Sequence, residues 1–175
     1  MRKLIVGTLL IAILMSGCSN TMADIYDNES KITSDTNSFN LDGIKQEING
    51  NSYNATVEKM EGMDTIWTMD VEEETTVDIE YDITLYNGKV KVVLVSPDDE
   101  LTILAECISN QDDSSNTTSL ALTQGEYRIK IVAGEDTKFD ISLSISDGSF
   151  HELGLWQILS YLYAFYPLAL KLNQN

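Results

Sequence analysis

The sequence predicts an all-β protein, a small antiparallel β-sandwich or jelly roll of about eight strands. Three observations point there. Between about Thr56 and Ser146 the apolar residues recur every second position, the period of a strand with one buried and one wet face. Turn-forming pairs punctuate that stretch at short intervals: Asn87-Gly88, Pro97-Asp98-Asp99 and Gln124-Gly125. No segment between them carries the 3.6-residue apolar period of an amphipathic helix.

The chain has 175 residues, with 28 Asp and Glu against 11 Lys and Arg, a formal net charge of −17. That length suits one modest domain with appendages. The acidity excludes nucleic acid as a partner, because phosphate binding needs a basic face. There is one histidine, His151, and there are two cysteines, so multi-His metal centres and disulfide scaffolds are excluded.

Taken in chain order, the first element is a signal helix over residues 1–17. Arg2 and Lys3 precede an apolar run from Leu4 to Met15, and Ser16-Gly17-Cys18 close it. A charged-then-apolar segment ending in small residues is an export signal and stays outside the fold. The Met15-Ser16-Gly17-Cys18 ending resembles the bacterial lipobox, with Met15 where leucine is usual. The resemblance implies cleavage between Gly17 and Cys18, acylation of Cys18 by diacylglycerol and palmitate-type chains, and a lipoprotein on the outward face of the cell membrane or envelope. Two or more acyl chains anchor firmly where one is marginal.

Residues 18–55 follow as a lipid-anchored, disordered tether. The stretch is rich in Asn, Ser, Thr and Asp, its apolar residues lack period, and 41–48 has at most a helical turn. As a flexible chain it would reach roughly 30–35 Å.

The sandwich spans 56–148. Val77, Ile79, Tyr81, Ile83 and Leu85 alternate with Asp78, Glu80, Asp82 and Thr84. Tyr127, Ile129 and Ile131 alternate with Arg128 and Lys130, and Phe139, Ile141, Leu143 and Ile145 form a further strand. Residues 89–95 are almost continuously apolar and belong at the centre of a sheet. Shorter strands are expected at 66–71, 101–106 and 118–122. From Asp64 to Ser146, and above all at Gly125-Glu126-Tyr127, the order of these segments resembles the bacterial pre-peptidase C-terminal domain, a small jelly-roll sandwich of secreted and envelope proteins. The resemblance implies the fold; calcium binding by some members carries over to no particular residue here.

Catalysis finds no support. A serine hydrolase needs a base, and His151 lies at the start of the tail as a solvated side chain. Asp78, Glu80 and Asp82 alternate as solubilising charges, and nothing singles out a carboxylate pair. Calcium is the one cofactor worth weighing, with Asp98, Asp99, Asp112 and Asp113 as loop carboxylates that sandwich loops might bring together; exposed acidic turns are the plainer reading. The Glu72-Glu73-Glu74 run lacks calcium-loop spacing as well. Cys107 reads as a small buried residue. Trp67 is the candidate for a sugar-stacking platform, while Tyr81 and Tyr127 fall in the core phase.

Residues 149–175 are an apolar C-terminal segment with a short helix. From Leu153 to Leu170 no residue is charged, and Trp156, Tyr161, Tyr163 and Tyr166 are interface-seeking aromatics. Three readings stand: docking on the sandwich or a protein partner, a second membrane contact through 153–170, or an abnormal terminus. The functional expectation is a non-enzymatic, acidic β-sandwich displayed at the envelope in a binding or accessory role. The alternatives are a calcium- or carbohydrate-binding module and, last, a hydrolase with an unrecognised carboxylate site. Replacing the acylated residue (Cys18→Ala) is expected to move the protein from the membrane to the soluble fraction of a bacterial host; unchanged sedimentation with membranes would contradict the lipid anchor as the attachment.

Overall fold

The structure is a computed structural model that describes residues 22–108 and 112–154. The expected signal helix, the expected cleavage site at Gly17 and Cys18, and the tail beyond Gly154 lie outside the described residues. Eight antiparallel strands form one continuous sheet: β1 (Ser38–Asn49), β2 (Ser52–Val71), β3 (Thr75–Asn87), β4 (Val90–Val95), β5 (Leu101–Cys107), β6 (Asp112–Leu122), β7 (Gly125–Ile145) and β8 (Ser149–Phe150). The all-β expectation holds.

Two strands are unusually long, and their bending turns the single sheet into two layers. β2 and β7 pair along their whole length, from Ser52↔Ser144 to Val71↔Gly125. Their pairing shifts register near Met60 to Gly62, opposite residues 133–137. Beyond that bulge the neighbours change. The second half of β7 pairs with β3, which pairs with β6; the first half pairs with β4, which pairs with β5. The first layer is therefore β1-β2-β7-β3-β6, and the second is β8-β2-β7-β4-β5. Bulges that let strands pass between layers are the usual way to make such corners. Residues 125–133 and 138–146, expected as two strands, are one strand with this corner inside it.

The corner explains two glycines. Gly62 sits at φ +97°, and a Cβ there would lie 2.2 Å from the Ser38 carbonyl oxygen. Gly88 of the expected Asn-Gly turn sits at φ +81°, where a Cβ would meet Thr137 Oγ1 at 2.5 Å. Thr137 is fully buried and donates to the carbonyls of Lys89 and Gly134, so the turn is fastened to the bulge.

The core lies between the layers: Val57, Ile79, Ile83, Leu85, Val92, Ile129, Ile131, Phe139 and Leu143 are all buried, together with Trp67 and Cys107. Full burial of each such aliphatic or aromatic side chain is worth about 1.5–3 kcal/mol. The buried Cys107 thiol agrees with its expected place and is out of reach of another chain. Trp67 donates its indole N–H to the Asp147 carbonyl at 3.0 Å, and Gly148 packs where a side chain would strike its ring.

The tether expectation needs correction. Residues 38–49 form β1, paired with β2 from Ser38↔Met63 to Asn49↔Ser52, so 41–48 is strand and not a helical turn. Residues 22–36 are also part of the body. They form a strap made of a 3₁₀ turn (Met22–Ile25) and a single helical turn α1 (Glu29–Ile32), whose Asn28 cap accepts from the Lys31 N–H. Ile25, Tyr26 and Ile32 are buried against Met63, Val93, Val95 and Val132 on the outer side of the second layer. That second core is why 89–95 reads as continuously apolar: both faces of β4 are covered. Sparse apolar residues were enough because a ready-made sheet face supplies the other half of the contact.

The sandwich also runs past the expected boundary at 148. β8 pairs with Trp67 and Thr68, and Phe150 stacks on Tyr53 at 5.8 Å. His151 is half-buried and not solvated. Its N–H donates to the Ile66 carbonyl, its Nε2 lies 2.8 Å from Thr68 Oγ1, and burial holds its pKa below the usual value. Leu153 then closes the open edge of the core, bracketed by Gln46, which accepts from its N–H and donates to its carbonyl. Fully buried Asp64 accepts from the Gly154 N–H at 2.7 Å and the Thr65 N–H at 2.9 Å.

Burial pushes Asp64 up to about 6, against the opposing pull of those two N–H groups and Lys130. A carboxyl whose folded pKa is raised binds more protons folded than unfolded, so its contribution favours folding at low pH and is lost as pH rises from about 4 to about 6. Asp64→Asn is expected to flatten that interval and to narrow the stability difference from pH 4 to pH 7 by roughly 1–3 kcal/mol. Urea unfolding across this range measures it; parallel pH profiles for the two proteins would contradict it.

Candidate functional site

The outer face of the first layer is open and almost wholly polar. Register places Lys45, Thr56, Asp140, Thr84 and Asp113 in one row across five strands, with Glu47, Asn54, Ser142, Asp82 and Ser115 in the next. This follows from the alternation: the chain neighbours of the inward Ile83, Ile141 and Val57 must point out.

Two concavities lie on this face. The larger, about 480 Å³, lies over β1, β2, β7 and β3 and is lined by Lys45, Glu47, Asn54, Thr56, Asp140 and Ser142, with Asp82 at its far side. The smaller, about 270 Å³, is lined by Glu80, Asp82, Ser115, Asn116 and Thr117. Asp82 lines both, and the two adjoining shallow concavities together form a trough-like stretch that spans all five strands, about 19 Å at the usual strand spacing.

Asp140 is the least satisfied group in the trough. Its Oδ2 accepts from the Tyr86 hydroxyl at 2.8 Å, whereas its Oδ1 is buried without a hydrogen-bond partner among the described residues. An unsatisfied buried acceptor costs about 1–3 kcal/mol until something donates to it. Tyr86 is 44% exposed, with Lys138 6.0 Å from its ring centre. Its phenol pKa is raised, first by the bond to Asp140. The trough thus offers hydroxyls, amides and carboxylates beside one exposed ring, which make many hydrogen bonds possible; the hydroxyl–imidazole contact of Thr68 and His151 lies elsewhere, at the β2–β8 edge.

The sugar-stacking expectation for Trp67 is overturned, since its ring is completely buried and its N–H is taken. Tyr81 and Tyr127 are core residues, as expected. Tyr86 was the available signal, because it continues the polar phase of Asp78, Glu80, Asp82 and Thr84.

Among the described side chains, Asp98 and Asp99 stand apart from Asp113. Asp98 and Asp99 lie in the β4–β5 turn, Asp112 and Asp113 begin β6, and β5 separates the two places. Asp99 already faces Arg128, 3.4 Å from Nη2, and Asp113 stands in the trough's first row. Among the described residues no three His, Cys, Asp or Glu side chains are placed to hold a metal ion, and no helix is long and apolar enough to cross a membrane.

No family model matches the chain, and no curated protein matches it. Several solved structures are similar to it. One is a carbohydrate-binding module from Cellvibrio mixtus lichenase 5A in complex with cellotriose, 14% identical with a TM-score of 0.33, covering 64% of this chain and 91% of that one. Another is the pre-peptidase C-terminal domain of a Bacillus anthracis collagenase, 16% identical with a TM-score of 0.34, covering 63% and 89%. A third is a module named TmCBM61 in complex with β-1,4-galactotriose, 10% identical with a TM-score of 0.36, covering 67% and 91%. Likenesses of this size carry no residue-by-residue correspondence. Millimolar calcium is expected to leave the thermal midpoint where EDTA leaves it; a rise of several degrees with calcium would contradict the separation of Asp98 and Asp99 from Asp113.

Proposed function

We propose that the chain is a non-catalytic binding module, held on the outward face of a bacterial envelope by a lipid on Cys18, that takes a hydroxyl-rich ligand in the trough. The observation that carries the ligand reading is the pair of concavities meeting at Asp82. A single small molecule needs one pocket, whereas a trough across five strands suits an extended chain such as a glycan. Ionised carboxylates accept strongly from hydroxyls, at about 1.5–3 kcal/mol per charge-assisted bond. Asp82 and Glu80 supply such acceptors, Asn54 and Asn116 add amides, and Tyr86, held by Asp140 Oδ2, gives an apolar ring face against which a sugar ring packs.

The carbohydrate reading is favoured over calcium because the trough's donors and acceptors are spread in rows instead of converging. An enzyme is disfavoured: the half-buried His151 sits at the β2–β8 edge, away from the trough. The lipid on Cys18 makes the membrane one partner, and residues 153–170 offer a second contact with membrane or protein.

Affinity electrophoresis against soluble polysaccharides and cell-wall glycan fragments tests the ligand. A glycan that retards the protein is expected to bind Asp82→Ala about tenfold or more weakly, the equivalent of one charge-assisted bond, and Asp140→Ala more weakly because Tyr86 loses its anchor. Equal retardation of the variants, or none by any glycan in the panel, would contradict the reading.

A further inference from the structure

The free edges of the sheet are not alike. An edge strand exposes unpaired N–H and C=O groups, and proteins blunt such edges with charge, proline, bulges or brevity. β1 is interrupted by Gly43 at φ +66° and carries Asp42, Lys45 and Glu47. β5 has seven residues, a register shift against β4, and Glu106. β8 has two residues. β6 lacks these devices beyond its first two residues, Asp112 and Asp113. It runs 11 residues against β3 without a register shift, and from Ser114 to Leu122 it holds no charge and no proline. Among the described residues no strand pairs with its other side. The direction of its backbone groups follows from β3. Asp78 accepts at its C=O from the Ser146 N–H and donates its own N–H to Ser146 Oγ, toward β7. Its neighbours Val77 and Ile79 therefore face β6, in hydrogen-bonded pairs with Leu120 and Thr118. The alternate residues of β6, Ser115, Thr117, Ser119 and Ala121, turn their N–H and C=O groups to the open side. The Thr117 N–H accordingly donates to Oδ1 of its own neighbour Asn116 at 2.9 Å, a local substitute for the acceptor a further strand would bring.

We propose that β6 is a dimerisation edge, pairing antiparallel with β6 of a second copy of this chain about a two-fold axis at Thr117. The strand's own charge pattern selects that occupant. Centring on Thr117 sets Asp113 opposite Ala121 and Ser115 opposite Ser119, so the acidic end of each strand meets the neutral end of the other. The two Asp113 residues then stand about 27 Å apart along the strands. Serine and threonine facing one another suit this ladder, because their hydroxyls hydrogen-bond across strands. The register also keeps Leu120 and Leu122 on the core side in both copies. A charged peptide, by contrast, would find no counter-charge on the edge from Ser114 to Leu122. The net charge of −17 opposes self-association, and this edge is where that opposition is weak. Glu80 and Asp82 stand one strand inside it, which puts three strand spacings, about 14 Å, between them and the matching acids of the other copy. That exceeds a screening length of about 8–10 Å. A two-fold axis closes the assembly at two copies. The two first layers become one continuous sheet. The concavity lined by Glu80, Asp82, Ser115, Asn116 and Thr117 gains the second β6 on its open side, so the two troughs run on into each other. Under the glycan reading this lengthens the ligand one unit can hold, while the pairing itself does not depend on that reading.

The test cross-links the purified full chain in mild detergent, with no glycan added, using a short bismaleimide that joins thiols on facing strands. Covalent dimer is read by denaturing electrophoresis. The parent chain, whose Cys107 is buried, sets the background. Thr117→Cys alone is expected to give dimer severalfold above that background, because residue 117 faces itself. Asp113→Cys alone and Ala121→Cys alone are expected to stay at background, whereas the two mixed together cross-link. All three positions are exposed, so the substitutions leave the core untouched. Background dimer from Thr117→Cys, or equal dimer from every position, overturns the pairing. Cross-linking of Thr117→Cys in cell extract to a different protein, with no dimer, overturns the second copy as the occupant. Because glycan is absent from the cross-linking, failure of glycan binding leaves this result intact, and failure of the pairing leaves the glycan result intact.

Discussion

Everything else in this fold depends on the pairing of β2 with β7. Among the described residues, these strands of 20 and 21 residues alone run through both layers. Neither could be straight and still let the sheet close over its own core, and the bulge near Gly62 and residues 133–137 makes the closure. Each layer then recruits its neighbours to one half of the same ladder. The trough exists because the first halves of the outer face stay uncovered. The strap has a seat because the second halves offer Met63, Val93, Val95 and Val132 outward.

The alternation from Val77 to Leu85 and from Phe139 to Ile145 made the strands and their inward residues legible, because a period of two is a local property. The corner was less legible. Gly134-Glu135-Asp136 reads as a break between strands, and only the partners show that it is a bulge within one. The start of the body was misjudged for a related reason. Residues 22–36 carry too few apolar side chains to fold alone, and their burial depends on a face contributed by β2, β4 and β7, distant in sequence. The continuous apolar run at 89–95 did hold that information, since a strand buried on both faces needs two coverings. For the site, carboxylate-rich strands showed a wet face, while the trough depends on register across five strands. Trp67 was the wrong aromatic because its neighbours, Asp147 and Gly148, come from beyond the expected last strand.

The buried polar groups show where shape matters more than stability. A fully buried Lys130, with burial and the neighbouring Arg128 pulling its pKa down to about 8 against the pull of Asp64, is a costly way to hold a strap that an apolar side chain could also hold. What the ammonium adds is direction: it donates only to carbonyls at set positions, so Ser34 and Thr36 are fixed in register with β1, which starts two residues later. Asp64 does the same at the other end of the chain, where it and Gln46 fix Leu153 and Gly154. Both charges sit on neighbouring strands, paired through Thr65↔Lys130, so the entry to β1 and the exit after β8 are set from one place on the β2–β7 ladder. A chain that only needed a stable sandwich would gain little from this. What the two charges supply is positional specificity at the entry to β1 and the exit after β8, which an apolar contact, free to slide, does not give.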